Sequence, residues 1–176
     1  MYHVGELIVY GGNGVCRVLE VKPRDTRPGK GQLYYTLEPL HQNCMIFTPV
    51  DNPKVFMRPI LSREEAEQLI DQIPSMQAEA YHSRAMRELT EHYEACIKTH
   101  DCLDLLALTM SIHAKKQAAQ EQKRKFGAVD GGFLRRAEEL LFSELAAALG
   151  IQRDEVPDYI AARVAKLQNR PLSQES

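Results

Sequence analysis

The sequence predicts an α+β protein: a small antiparallel β domain over residues 1–60, an all-α domain of about five helices over residues 61–170, and a flexible tail at 171–176. Three observations predict it. Short apolar runs with period-two alternation, broken by glycine- and proline-rich turns, fill the first stretch. Ser62 followed by Glu65 forms a capping box that opens a helix. Beyond it, apolar residues recur every three or four positions.

The β elements follow in order. Leu7, Ile8, Val9 and Tyr10 make an apolar run that stops at Gly11-Gly12-Asn13-Gly14, whose glycines allow positive φ. Residues 15–21 are the return strand, and the imperfect alternation of Cys16, Val18, Leu19 and Val21 predicts a bulge. After a loop over residues 23–31, Leu33, Tyr35 and Leu37 alternate with polar neighbours. Residues 39–43 turn the chain into a strand at 44–48, which Pro49 ends and which reads as a sheet margin. A last short strand is expected near residues 54–57. Short strands joined by tight turns predict a small curled sheet or barrel.

The helical elements begin at Ser62, and the first helix ends before Pro74. Met86, Leu89, Tyr93 and Cys96 or Ile97 give a second helix over about residues 79–98. Asp101 caps a third, with Leu103, Leu106, Met110 and His113 on one face and Leu105 and Ile112 widening it. Gly127 and Gly131-Gly132 break the pattern. Asp130 is then expected to cap a fourth helix bearing Leu134, Ala137, Leu141, Leu145 and Ala148, stopped by Gly150. The last runs from about residue 154 to 168, burying Val156, Ile160, Val164 and Leu167, with Pro157 in its first turn.

Composition narrows the function. A hydrophobic content of 44% is ordinary for a globular protein, and a net charge of −2 does not announce a nucleic-acid binder. No run approaches a membrane span and the first residues lack a signal-peptide pattern, so a cytoplasmic protein is expected. Cys16, Cys44, Cys96 and Cys102 form no CxxC pair and are expected as free, mostly buried thiols. Motifs for a nucleophile elbow, a phosphate loop or a zinc protease are missing, so neither a catalytic site nor a cofactor is expected. His92, Cys96 and His100, at four-residue steps, offer a metal or thiol site as an alternative, with Cys102 as a fourth ligand; packing of this face is the other reading. Charge is concentrated between residues 115 and 136. Lys115, Lys116, Lys123, Arg124, Lys125, Arg135 and Arg136 face only Glu121 and Asp130, which suits phosphate contact or a solvated face.

Val4-Gly5-Glu6-Leu7-Ile8-Val9-Tyr10, Gly14-Val15-Cys16-Arg17-Val18, Thr48-Pro49-Val50-Asp51-Asn52 and Arg58-Pro59-Ile60-Leu61 resemble the polymerase-interacting domain of the CarD/CdnL family, a domain shared with transcription-repair coupling factor. Ser143-Glu144-Leu145-Ala146 is similar to a run in the family's fourth helix, and the order of domains also matches. The resemblance implies a Tudor-like β domain pairing an edge strand with the RNA polymerase β subunit. It also implies a helical domain that lies on promoter DNA at the upstream edge of the bubble and stabilises the open complex. Polymerase contacts then fall on Arg24 and on Met45, Ile46, Phe47, Thr48 and Pro49, with Phe47 standing where some members have arginine. DNA contacts fall on Tyr81, His82, Arg84, Lys123, Arg124, Lys125, Arg135 and Arg136. Tyr81 or His82 stands where some members insert a tryptophan wedge, a residue this sequence lacks; packing of Tyr81 between helices is the alternative. Gly131 replaces a family lysine. The resulting expectation is a monomeric, non-catalytic regulator of bacterial transcription whose contacts with DNA are largely indifferent to sequence. The alternative is a polymerase- or protein-binding module without DNA contact.

Overall fold

A computed structural model describes residues 1–24, 31–52 and 54–169. The chain divides into two compact units, Met1–Leu61 and Ser62–Ser176. Most of the expected loop at 23–31, and the tail at 171–176, lie outside the described residues.

Among the described residues the first unit holds β1 (Leu7–Tyr10), β2 (Val15–Pro23), β3 (Leu33–Pro39), β4 (Ile46–Pro49) and β5 (Met57–Pro59). They form one sheet in the order β4-β3-β2-β1-β5, with antiparallel pairing throughout. The β1–β2 turn depends on Gly14 at φ 74°, whose carbonyl accepts the Tyr10 N–H at 3.0 Å. The expected bulge is present, as the β2–β3 register shifts between Val18 and Glu20. One face buries Ile8, Tyr10, Cys16, Val18, Tyr35 and Leu37. Burial, and secondarily Cys44, pushes the Cys16 thiol up to about 11, so it packs as a small apolar group. Two boundaries move. β4 starts at Ile46 rather than residue 44, and β5 starts at Met57 because Asn52 Oδ1 accepts the Lys54 N–H at 3.1 Å and holds a turn where the strand was expected.

The second unit holds α1 (Arg63–Asp71), α2 (Met86–Lys98), α3 (Cys102–Glu121), α4 (Ala128–Leu149) and α5 (Val156–Gln168). The capping box forms as expected: Ser62 Oγ accepts the Glu65 N–H at 3.0 Å, and Glu65 Oε1 accepts the Ser62 N–H at 3.3 Å. Asp101 Oδ1 caps α3 by accepting the Leu103 N–H at 2.7 Å. Gly150 ends α4 in the left-handed region at φ 68° and ψ 33°. Arg63 donates to the Leu149 carbonyl at 2.6 Å there, placing a cation at the helix's negative end. Arg163 of α5 grips Asp71 of α1 through two bonds of 2.6 and 2.9 Å, which raises the already high pKa of its guanidinium.

Several helical expectations are corrected. α2 begins at Met86, not near residue 79, and Met86 is 62% exposed. Ser83 accepts the Ala85 N–H at 3.2 Å and donates to Glu88 at 2.9 Å, while Ser111 donates to the Glu79 carbonyl at 2.7 Å. These bonds hold residues 79–85 as an irregular segment against α3. The buried face of α3 is Cys102, Leu105, Leu106, Leu108, Thr109 and Ile112, so Leu103 and His113 lie outside it. Asp130 does not cap α4. Gly127 takes that position, and Asp130 sits buried in the first turn with its carboxylate committed elsewhere. Leu149 rather than Ala148 is fully buried near the end of α4, and α5 buries only Val156 completely, Ile160, Val164 and Leu167 being half-buried. Of the four thiols only Cys16 and Cys102 are buried; Cys96 is partly covered and Cys44 is exposed.

Candidate functional site

The expected margin on the β unit is β4. Among the described residues it pairs with β3 alone, through Tyr34↔Pro49, Tyr35↔Thr48, Thr36↔Phe47 and Leu37↔Ile46. Its hydrogen-bonding phase follows from the Val50 N–H, which donates to the Leu33 carbonyl at 2.9 Å. Alternation then turns the backbone groups of Ile46 and Thr48 toward β3, and those of Phe47 and Pro49 outward. The outward row therefore offers the amide of Phe47 and the carbonyls of Phe47 and Pro49, since proline has no N–H. Side chains divide in the same rhythm. Thr48 is buried at 1% exposure and Ile46 packs on the core, whereas Met45 and Phe47 are 53% and 49% exposed.

Arg24 follows β2, two strands away from β4, yet its guanidinium carbon lies 4.0 Å from the centroid of the Phe47 ring. All six residues expected to meet polymerase are therefore near one margin, but they differ in what they present. Thr48 contributes packing; its hydroxyl accepts from Asn52 Nδ2 at 3.0 Å. Phe47 contributes a surface on which the cation rests.

The helical unit sorts its basic residues into engaged and free. Lys115 and Asp130 form an ion pair of 2.9 Å, with side chains 15% and 10% exposed. The Tyr93 hydroxyl donates to the same Asp130 oxygen at 2.6 Å. Burial, then the bond to Asp130, holds the Tyr93 phenol well above its ordinary range, so it stays a donor. Lys115, counted in the basic run, is thus structural: it helps neutralise a buried carboxylate that ties α2, α3 and α4 together. Arg136 donates to Glu94 of α2 at 2.7 Å and is partly neutralised. Lys123, Arg124 and Lys125 lie exposed between α3 and α4, and among the described residues no carboxylate pairs with their side chains; Arg135 is likewise exposed. Lys123 adopts φ 53°, which turns the chain sharply at the end of α3.

Tyr81 stacks on His92 with centroids 3.7 Å apart and planes 11° from parallel. One face of the tyrosine is therefore covered by the His92 ring of α2. His82 and Arg84 are exposed on the same irregular segment. The alternative metal set does not assemble. His92 is in that stack, His100 lies past the end of α2 at φ 55°, and Cys102 donates to buried Glu144 at 3.2 Å. Among the described residues no group of three or more His, Cys, Asp or Glu side chains could hold a metal ion. No helix of the described residues is long and apolar enough to cross a membrane.

The partners Glu94 and Asp130, and the pairing of Arg24 with Phe47, had no local signal in the sequence. They join residues 42, 15 and 23 positions apart. Compared with known families, residues 2–61 match the model of the CarD-like/TRCF RID domain. No curated protein matches the chain.

Proposed function

With residues 2–61 a CarD-like/TRCF RID domain, and so an RNA polymerase-interacting module, we propose that this chain is a non-catalytic regulator of bacterial transcription. It holds the polymerase β subunit through the β4 margin and bears on promoter DNA at the upstream edge of the bubble, stabilising the open complex. The observation that carries this reading is the margin itself: among the described residues β4 lies last in its sheet and pairs with β3 alone, with the Phe47 amide turned outward and the Arg24 cation on the Phe47 ring. A partner strand can add to such a row, gaining affinity from backbone bonds and selectivity from flanking side chains.

The DNA half of the proposal is supported by the exposed cations Arg84, Lys123, Arg124, Lys125 and Arg135. Exposed lysines and arginines bind phosphates without reading bases, so promoter choice would come from polymerase. Lys115 drops out of this set and Arg136 enters it only by releasing Glu94. His82, exposed where Tyr81 is covered, is the better-placed ring for stacking at an opened base step. The protein works in this reading as a cytoplasmic monomer and needs no cofactor.

The test is capture of the isolated polymerase β lobe by the full chain. Wild type captures it and Arg24→Glu captures less. Absence of capture by wild type overturns the proposal, and equal capture by both removes Arg24 as an anchor.

A further inference from the structure

Phe47 is an aromatic side chain, 49% exposed, on the outer face of an edge strand. Exposed edges are ordinarily blunted by charge rather than decorated with apolar rings. The ring does have a partner: Arg24 reaches it from beyond the end of β2, across the intervening β3, to lie 4.0 Å from its centroid. Arg24 is itself backbone-anchored, its N–H donating to the Gln32 carbonyl at 3.4 Å. Two exposed side chains thus make one unit, with the guanidinium held on a ring that β4 carries.

We infer that Phe47 is a positioning residue for partner recognition: its ring shelves the Arg24 guanidinium at the β4 margin and so fixes where that cation meets polymerase. This rests on the polymerase-binding reading above and adds the residue that orients the contact. A free arginine would lose rotamer freedom on docking, whereas a stacked one has already lost much of it.

The experiment titrates RNA polymerase core enzyme against the full-length wild type, F47L, F47Y, R24Q and the double variant R24Q/F47L. A cation–π contact at an exposed site corresponds to about a two- to fivefold effect. F47L is expected to weaken binding by that factor, F47Y to stay within about twofold of wild type, and F47L to add nothing in the R24Q background. The Arg24 side-chain protons, observed by NMR without any partner, are expected to be shifted upfield by the ring in wild type and F47Y and not in F47L. Equal losses from F47L in both backgrounds would overturn the assignment, because Phe47 would then touch the partner itself. Full binding by F47L, or Arg24 protons indifferent to the ring, would overturn it as well. A wild type that fails to bind polymerase overturns the proposed function and this role together; a wild type that binds with no Arg24–Phe47 coupling overturns this role alone.

Discussion

The Phe47→Pro substitution removes a backbone donor that β3 does not use. The Val50 N–H bonds the Leu33 carbonyl at 2.9 Å, so with Tyr35↔Thr48 and Leu37↔Ile46 in the same phase the amide of Phe47 points away from the sheet. Proline is tolerated on an edge strand where the missing N–H faces outward. The folded β unit should therefore unfold at close to the urea concentration of Phe47→Leu, which shares the loss of the ring. Binding should differ. A partner carbonyl left facing proline loses its donor while still desolvated, which costs about 1–3 kcal/mol, or about five- to 150-fold in affinity for polymerase. Thr48→Pro is the mirror control. Its amide faces β3 and its side chain is 1% exposed, so that variant should lose stability outright. Titration with polymerase and urea unfolding, run on the three variants, read the two effects separately. Phe47→Pro binding as well as Phe47→Leu, or unfolding as early as Thr48→Pro, would refute the assigned direction of the margin.

Four further outcomes follow from the helical unit. Asp130→Ala leaves the Lys115 ammonium and the buried Tyr93 hydroxyl without their shared acceptor and should cost about 2–4 kcal/mol in urea unfolding, somewhat below a fully buried pair because Lys115 keeps some exposure. Lys115→Met should cost less, since Asp130 still accepts from Tyr93 and sits in the first turn of α4; the reverse ranking would show that the triad is misread. Tyr93 sets an alkaline limit. Its folded pKa lies above the ordinary 10.0, so its contribution is complete below pH 10 and is lost as pH climbs from there toward the folded value, and Tyr93→Phe should flatten that part of a stability–pH curve. Converting Lys123, Arg124 and Lys125 to glutamine should reduce the slope of log affinity for promoter DNA against log salt by about three, while leaving polymerase capture unchanged. An unaltered slope would favour a module that binds polymerase without touching DNA.

What the sequence determined by itself was local. The capping box at Ser62, the Asp101 cap, the glycine stop at residue 150, the bulge in β2 and the change of period all arise between residues a few positions apart, where side chain and backbone interact whatever the rest of the chain does. The motifs of the β unit were legible for the same reason, and residues 2–61 match the model of the CarD-like/TRCF RID domain. Tertiary structure decided what each charge is for. Lys115 and Arg136 look like Lys123 and Arg135 in a charge count. Only packing, which brings Asp130 and Glu94 beside the first two, separates a structural cation from an exposed one. It also moved the start of α2, because the bonds of Ser83 and Ser111 and the stacking of Tyr81 on His92 compete with helix over residues 79–85. And it set Arg24 on Phe47, since two exposed side chains 23 residues apart meet only once β3 has laid β2 and β4 on either side of itself.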